Sequence, residues 1–229
     1  QATLGLHEAN RTLEQRVRER TAQLSQSYSA LVRTLCRASA YRDSETGNHI
    51  VRIGESAALI ARAYGMSSEW VELIRQAAPM HDVGKIGIAD QILLKPGALN
   101  DEERRLMQEH PRIGYSILAD QHASELTAMA AEIALTHHEK WDGSGYPNGL
   151  SGHQIPLSGR IVAICDVYDA LRMPRPYKAA WPVEKAQAFI REQAGKHFDP
   201  ELVTLVESLY EQIETLQHEL SDCPQTDPR

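Results

Sequence analysis

No run of about 18 apolar residues occurs in the chain, which excludes a membrane-spanning helix. The opening stretch QATLGLHEAN lacks the basic-then-apolar pattern of a signal peptide. Cysteine is scarce: Cys36, Cys165 and Cys223 are odd in number, far apart and form no C-x-x-C pair, so a reducing cytoplasm is the expected setting. Blocks of basic residues are also missing. The formal charge is −7, from 31 acidic and 24 basic side chains, whereas a duplex backbone is gripped by many Lys and Arg, so binding of duplex nucleic acid is not expected. That charge is unevenly placed, because residues 201–229 carry Glu201, Glu207, Glu211, Glu214, Glu219, Asp222 and Asp227 against Arg229 alone. Phenylalanine is rare, with two residues against ten histidines, an imbalance that asks for an explanation. What is present suffices for a core: 42% of the 229 residues are hydrophobic, enough for one sizeable domain plus an appendage.

Helical signals dominate the chain. From about residue 4 to 40 there is no proline, and Leu6, Leu13, Val17, Leu24, Tyr28, Leu31, Leu35 and Ala38 recur in three- and four-residue steps. The spacing predicts a long coiled-coil-like helix, with a phase shift between Val17 and Leu24. A parallel homodimer passing a signal from an upstream domain is preferred over a helix lying on its own domain, and the start at Gln1 suggests a piece of a longer protein. Further helices are predicted over 51–64, ending at Gly65; from Ser67 or Ser68; over 101–110 after Asn100; over 124–138 after Ser124; and over 158–171. Pro182 as a first helical residue and Gly195 bracket another, and Asp199, Pro200 and Glu201 start a last helix running to about Leu220. No stretch alternates with period two for long, so the fold class is all-α. The division expected is a linker helix over 1–37, a catalytic domain over 38–210, and an acidic helix end and tail over 211–229. Loops at 142–159 and 172–181 concentrate glycine and proline on this helical frame.

Singly, the candidate ligands carry little weight. Glu45 and His49, four apart, share a helix face, as a solvated pair also would. His81 and Asp82 stand where a helix ends near Gly84, and His110 precedes Pro111 at a predicted helix end, where the dipole favours a cation. His137 and His138 close an apolar helix. Asp166 lies in the apolar run IVAICDVYDAL, where an unpaired carboxylate would cost several kcal/mol, so it needs a cation. Together these residues offer ligands for more than one metal. Mixed nitrogen and oxygen donors suit iron, manganese, nickel or zinc, and the lack of cysteine pairs argues against structural zinc. Two ions about 3.5–4 Å apart lower the pKa of a bridging water and clamp a phosphoryl oxygen, which is the equipment of a hydrolase.

The runs HDVGK (His81–Lys85), HHEKWDGSGYP (His137–Pro147), DVYDAL (Asp166–Leu171) and RPYK (Arg175–Lys178) closely resemble the HD-GYP family, a branch of the HD-domain metal-dependent phosphohydrolases. The resemblance extends over roughly residues 38–205, with HPRIGYSIL, GLSGHQIPLSGRI and AGKHFDPELV in order. It implies an HD-type helical bundle that hydrolyses cyclic di-GMP to pGpG and, as members of the family often do, on to GMP, the final product being left open between the two. By that resemblance His81, Asp82, His110, His137, His138 and Asp166 are metal ligands, with Asp82 bridging two ions. Glu45 and His49 match the ligands of a third metal, so two or three divalent ions are expected, iron ahead of manganese, nickel and zinc. Lys85 resembles the family's phosphate-contacting lysine, and Arg175 and Lys178 its outer phosphate clamp. Gly145, Tyr146 and Pro147 match the loop that shapes the site mouth and is implicated in docking GGDEF-type cyclase domains. The N-terminal helix is similar to linkers that follow receiver domains.

This sequence departs from the family at Arg172, close enough to the expected site to alter guanine or phosphate contacts, and at His153, read as exposed. His7, His122, His197 and His218 receive no role, and Trp70, Trp141 and Trp181 are read as packing anchors. Two alternatives stand beside the leading reading: a phosphohydrolase for another nucleotide, such as a mixed cyclic dinucleotide or an alarmone, and a catalytically silent module that binds the messenger or a partner.

Overall fold

A computed structural model describes residues 11–20, 23, 30, 34, 47–120, 124–174 and 179–221. The chain divides into two units, Gln1–Leu35 and Cys36–Arg229. In the first, residues 11–20 are helical and exposed, including Leu13 and Val17. The other stripe positions, Leu6, Leu24, Tyr28, Leu31, Leu35 and Ala38, lie outside the described residues, as do Glu45, Arg175, Lys178, His7, His122 and residues 222–229.

The second unit is all-α; among the described residues its one extended pairing is a lone bridge between Ala194 and Phe198. Helix α1 (Gly47–Ala63) turns Ile50, Ile53, Ala57, Ile60 and Ala61 inward at helical spacing and is followed by Gly65 at φ +93°. Helix α2 (Ser68–Ala77) is capped by the Ser67 side chain, which accepts from the Trp70 N–H. A 3₁₀ turn over Ala78–Met80 and another over Val83–Gly87 carry the HDVGK segment between them. Next come α3 (Asp90–Leu93) and α4 (Asp101–Met107), the latter opened by a reciprocal Asn100–Glu103 capping box. Then follow α5 (His110–Leu118) and α6 (Glu125–Thr136), whose cap Ser124 accepts from Thr127 N–H. Helix α7 (Leu157–Arg172) is the central one: Ile161, Val162, Ile164 and Cys165 are all buried, and it packs on α1, α6 and α8 (Val183–Glu192). Helices α9 (Pro200–Glu207) and α10 (Tyr210–Glu219) close the bundle, and both lie against α1.

Three local expectations change. The helix predicted over 101–110 stops at Met107, and His110 opens a new helix with Pro111 in its first turn. A proline lacks the N–H that a first turn leaves unbonded, so it starts a helix more readily than it ends one. The last helix is two, because Ser208 and Leu209 take i→i−3 bonds to Leu205 and Val206 carbonyls and tighten the chain between α9 and α10. Pro182 is the extended residue before α8, at ψ 148°, and not its first turn.

Candidate metal centre

Two clusters of donors converge from the first turn of α1, the HDVGK segment, the start of α5, the end of α6 and the middle of α7. Asp82, His110, His137 and His138 place one ligand atom each within 4.8 Å of all the others, and so do His49, His81 and Asp166. Asp82 stands between the clusters. Its Oδ1 is 3.1 Å from His110 Nε2 and 3.6 Å from His137 Nε2, while its Oδ2 is 3.3 Å from His81 Nε2. Lys85, one 3₁₀ turn on, places Nζ 2.7 Å from the same Oδ2. On the far side Asp166 Oδ1 lies 3.9 Å from both His49 Nε2 and His81 Nε2. This convergence depends on Gly84: a Cβ there would sit 1.9 Å from the His110 carbonyl oxygen, so only glycine lets the HDVGK turn close on the start of α5.

The tautomers follow from the outer contacts. His81 Nδ1 lies 2.9 Å from the Ala78 carbonyl, His110 Nδ1 2.8 Å from that of Met107, and His137 Nδ1 3.1 Å from those of Ile133 and Ala134. A carbonyl only accepts, so each Nδ1 carries a hydrogen, and each ring in its neutral form turns an Nε2 lone pair inward. The inner side is then a meeting of acceptors. His110 Nε2 and His137 Nε2 are 3.5 Å apart, and Asp82 Oδ1 is buried among them with no hydrogen-bond donor from the described residues. Such a set repels itself unless a cation lies within it. The donor set therefore fits a divalent metal, with imidazole nitrogens oriented by their outer hydrogen bonds.

Electrostatics keep the donors in ligating form. Burial holds His138 well below the ordinary histidine range; His137 is lowered too, again mainly by burial. Burial would raise Asp82, but the interactions around it, led by the Lys85 charge, outweigh that and hold the carboxyl well below its usual range. The Tyr146 ring stacks on His138 at 4.7 Å, and burial pushes its phenol up, so the hydroxyl stays protonated.

The GYP loop is fixed by Glu139, a residue to which the motifs assign no role. Glu139, 1% exposed, accepts the Asn148 N–H at 2.7 Å and the Leu150 N–H at 3.0 Å, one on each carboxylate oxygen. Gly145 runs so close to Glu139 that a Cβ would lie 2.5 Å from its Cα, and Arg112 of α5 donates to the Pro147 carbonyl at 2.8 Å.

Of the residues named from the motifs, His49, His81, Asp82, Lys85, His110, His137, His138 and Asp166 are brought together, with Tyr146 stacked beside them; Glu45, Arg175 and Lys178 lie outside the described residues. Arg172 does not face the site. Its guanidinium takes both Glu214 oxygens at 2.9 and 2.7 Å and donates to the Trp181 carbonyl, because a half-buried cation on α7 finds its carboxylate on α10. His153 is exposed, against the Trp141 ring. His197, given no role, is half-buried; burial and the Lys140 charge lower it to about 4. Cys165 is buried and its thiol is pushed up by that burial, as befits a core residue.

Two further residues receive no role from the motif reading, although the first of them lies within DVYDAL. Asp169 and Arg52 are fully buried behind the His49 cluster, with Arg52 Nε 2.6 Å from Asp169 Oδ1 and His49 Nδ1 2.7 Å from Asp169 Oδ2. The sequence does hold a signal for them: Asp169 follows Asp166 by three in the same apolar helix, so the argument that a carboxylate there needs a cation applies to it as well.

Comparison with known proteins gives these features a context. The HD domain profile matches residues 12–202. A cyclic di-GMP phosphodiesterase response regulator of Xanthomonas campestris is 45% identical over 192 residues, which is 84% of this chain and 50% of the relative. A 3′3′-cGAMP-specific phosphodiesterase of Vibrio cholerae is 43% identical over 199 residues, 87% of this chain and 38% of the relative. The chain thus spans half or less of the length of these relatives. Among solved structures, a cyclic GMP-AMP specific phosphodiesterase of V. cholerae superposes with a TM-score of 0.63 at 21% identity, over 85% of this chain and 51% of that one, a likeness of fold. An HD-domain fold of this kind implies divalent metal binding, in keeping with the two donor clusters. With the profile spanning most of its length and a relative at 45% identity, the chain belongs to the HD-domain family, in its HD-GYP branch.

Proposed function

We propose that this chain hydrolyses cyclic di-GMP to linear pGpG, with GMP the product where a second cleavage follows, using two or three divalent ions, iron ahead of manganese, nickel and zinc. The observation that carries the reading is Asp82 standing between two donor clusters with Lys85 on its Oδ2. Divalent ions held there supply a water of lowered pKa and positive charge for the phosphoryl oxygens. In the reaction, the water oxygen bonds to phosphorus while the bond to a ribose 3′ oxygen breaks and that oxygen takes up a proton. Lys85 meets phosphate charge near the leaving oxygen, Arg175 and Lys178 clamp the outer phosphate, and Tyr146, stacked on His138, walls the mouth. Glu45 with His49 favours a third ion. The proposal places the enzyme in a bacterial cytoplasm, paired as a homodimer through the N-terminal helix, whose Leu13 and Val17 are exposed. Input comes from an upstream receiver or sensor domain, with GGDEF-type cyclases met at the GYP loop.

The test is anaerobic purification, metal analysis per chain, and product analysis with Fe(II) or Mn(II) supplied. Cleavage abolished by Asp82→Ala is expected; full metal loading without cleavage refutes the enzymatic reading. Three ions falling to two in Glu45→Ala checks the third site, and a concentration-dependent mass measurement with and without residues 1–37 checks the dimer. The 43% identity to a 3′3′-cGAMP-specific enzyme favours a second reading, a mixed cyclic dinucleotide as substrate, so the two dinucleotides are compared side by side in the same assay.

A further inference from the structure

The pair His49 and Arg52 on α1 and the pair Asp166 and Asp169 on α7 each have i, i+3 spacing, so each pair shares one helix face. Where α1 and α7 pack, His49 and Asp166 turn to the donor cluster, while Arg52 and Asp169 lie behind them. We propose that Asp169 is a positioning residue that keeps the inward nitrogen of His49 available to metal, and that helix α10 completes the set of donors holding it. The proposal rests on the metal reading above and concerns what lies behind the ligands.

A carboxylate has about four lone-pair sites. On Asp169 four donors occupy them: Arg52 Nε at 2.6 Å and Gln217 Nε2 at 3.0 Å on Oδ1, His49 Nδ1 at 2.7 Å and Arg52 Nη2 at 3.0 Å on Oδ2. A carboxylate so filled has no lone pair left for an ion, which explains why DVYDAL supplies one metal donor and not two. Arginine stays protonated and can only donate, so Asp169 carries no proton and His49 Nδ1 must be the donor. His49 Nε2 is thereby fixed as the nitrogen facing Asp166. The far side of the network belongs to α10 and its end: Gln217 comes from that helix, Arg52 Nη1 donates to the Leu220 carbonyl at 3.0 Å, and Asn48 Nδ2 donates to the Ser221 carbonyl at 3.3 Å. A buried ion pair is a weak source of stability compared with apolar packing, so Arg52 and Asp169 are poorly explained as a structural pair alone. The hydrogen bond to His49 gives them a purpose.

In Asp169→Asn an amide NH₂ replaces one oxygen. Placed towards His49, it forces the imidazole to accept at Nδ1 and so to carry its hydrogen on Nε2, towards the cluster; placed away, it meets Arg52 Nε–H. Either placement disturbs the ligand. Equilibrium dialysis of the full chain against graded free Mn(II) reads the consequence. The ion at the His49, His81 and Asp166 cluster is expected to need about 10- to 100-fold more free Mn(II) in Asp169→Asn, while the Asp82 cluster fills as before. Gln217→Met, which removes one donor at similar volume, moves the same ion less in the same direction. Independently, ¹⁵N NMR of the His49 ring in the metal-free wild-type chain is expected to show hydrogen on Nδ1, and this readout stands even if Asp169→Asn does not fold. Unchanged Mn(II) affinity in a folded Asp169→Asn chain, or hydrogen on Nε2 in the wild type, overturns the proposal alone. A wild-type chain that takes no Mn(II) at the His49 cluster overturns it together with the metal reading.

Discussion

Replacing Gly84 by alanine adds one methyl group at the point where the HDVGK turn meets α5. That methyl would lie 1.9 Å from the His110 carbonyl oxygen, 2.4 Å from Gly114 N and 2.9 Å from Gly114 Cα, all backbone atoms that no rotamer change can move. A carbon settles against a carbonyl oxygen at about 3.3 Å, so the turn and the helix must part by about 1.4 Å. The turn carries Asp82 and the helix begins with His110, whose Nε2 is 3.1 Å from Asp82 Oδ1, so the parting falls on the donor cluster. Overpacking costs about 1–3 kcal/mol, and the upper end is expected where backbone meets backbone. At about 2–4 °C per kcal/mol for a chain of this size, thermal unfolding followed by circular dichroism should fall by about 6–12 °C. A displacement above 1 Å at a reacting centre costs on the order of 100-fold in rate, so cleavage and retained metal after dialysis should both drop. Gly47→Ala is the matched control, since a Cβ there meets nothing within 4 Å among the described residues. A Gly84→Ala chain with wild-type melting temperature and metal content would refute the claim that this contact sets the geometry of the centre.

Three other outcomes follow from the same geometry. Glu139→Ala strips the acceptors from the Asn148 and Leu150 N–H groups and is expected to cost about 2–4 kcal/mol in urea unfolding; an unchanged midpoint and slope would mean the loop is held elsewhere. His197, lowered to about 4 by burial and Lys140, takes up a proton in the unfolded chain at a higher pH than in the folded one, so its stabilisation is present above about 6.5 and lost as pH falls towards 4. Between pH 7.5 and 5 this contributes about 1–2 kcal/mol, and His197→Gln should flatten the pH dependence of urea unfolding by that amount; parallel curves for the two chains would show that His197 does not titrate this way. Removing metal with a chelator should lower the melting temperature, since an ion present at 1,000 times its Kd stabilises by about 4 kcal/mol, and a chelator-insensitive melt would speak against bound metal.

The parts of this molecule that short-range chemistry decides are legible in the amino-acid sequence. Ser67, Asn100, Ser124 and Asp199 cap helices because a side-chain oxygen reaches an N–H two or three residues on, a contact inside one turn. The break at Ser208 and Leu209 is not legible that way, since it has neither proline nor glycine and follows from how α9 and α10 both pack on α1. His110 illustrates the same limit in the site. Its place beside Pro111 suggests a helix end, and only the contact through Gly84 turns it towards Asp82. Asp169, Arg52 and Glu139 escape a reading by motif because their partners lie 117 residues away for the first two, and in a loop for the third. Burial of a charged side chain is a tertiary fact, although the apolar run around Asp169 is a usable hint.

The net charge of −7 misstates the field a phosphate ligand would meet. On α9 and α10, Glu207 is paired with Arg191, and Glu214 with Arg172 and the Tyr168 hydroxyl, so part of the acidic surplus at the end of the chain is already answered by cations of neighbouring helices. At the centre the balance is of another kind. His137 and His138 there offer lone pairs rather than charge, because burial lowers both, and Lys85 is already engaged with Asp82. Protein groups alone therefore leave the cluster electron-rich, a poor host for two phosphates. On the proposed reading the ions make the pocket attractive to its substrate as well as reactive. The order of events is then fixed by electrostatics: the donors gather cations first, and the dinucleotide binds to what the cations have made.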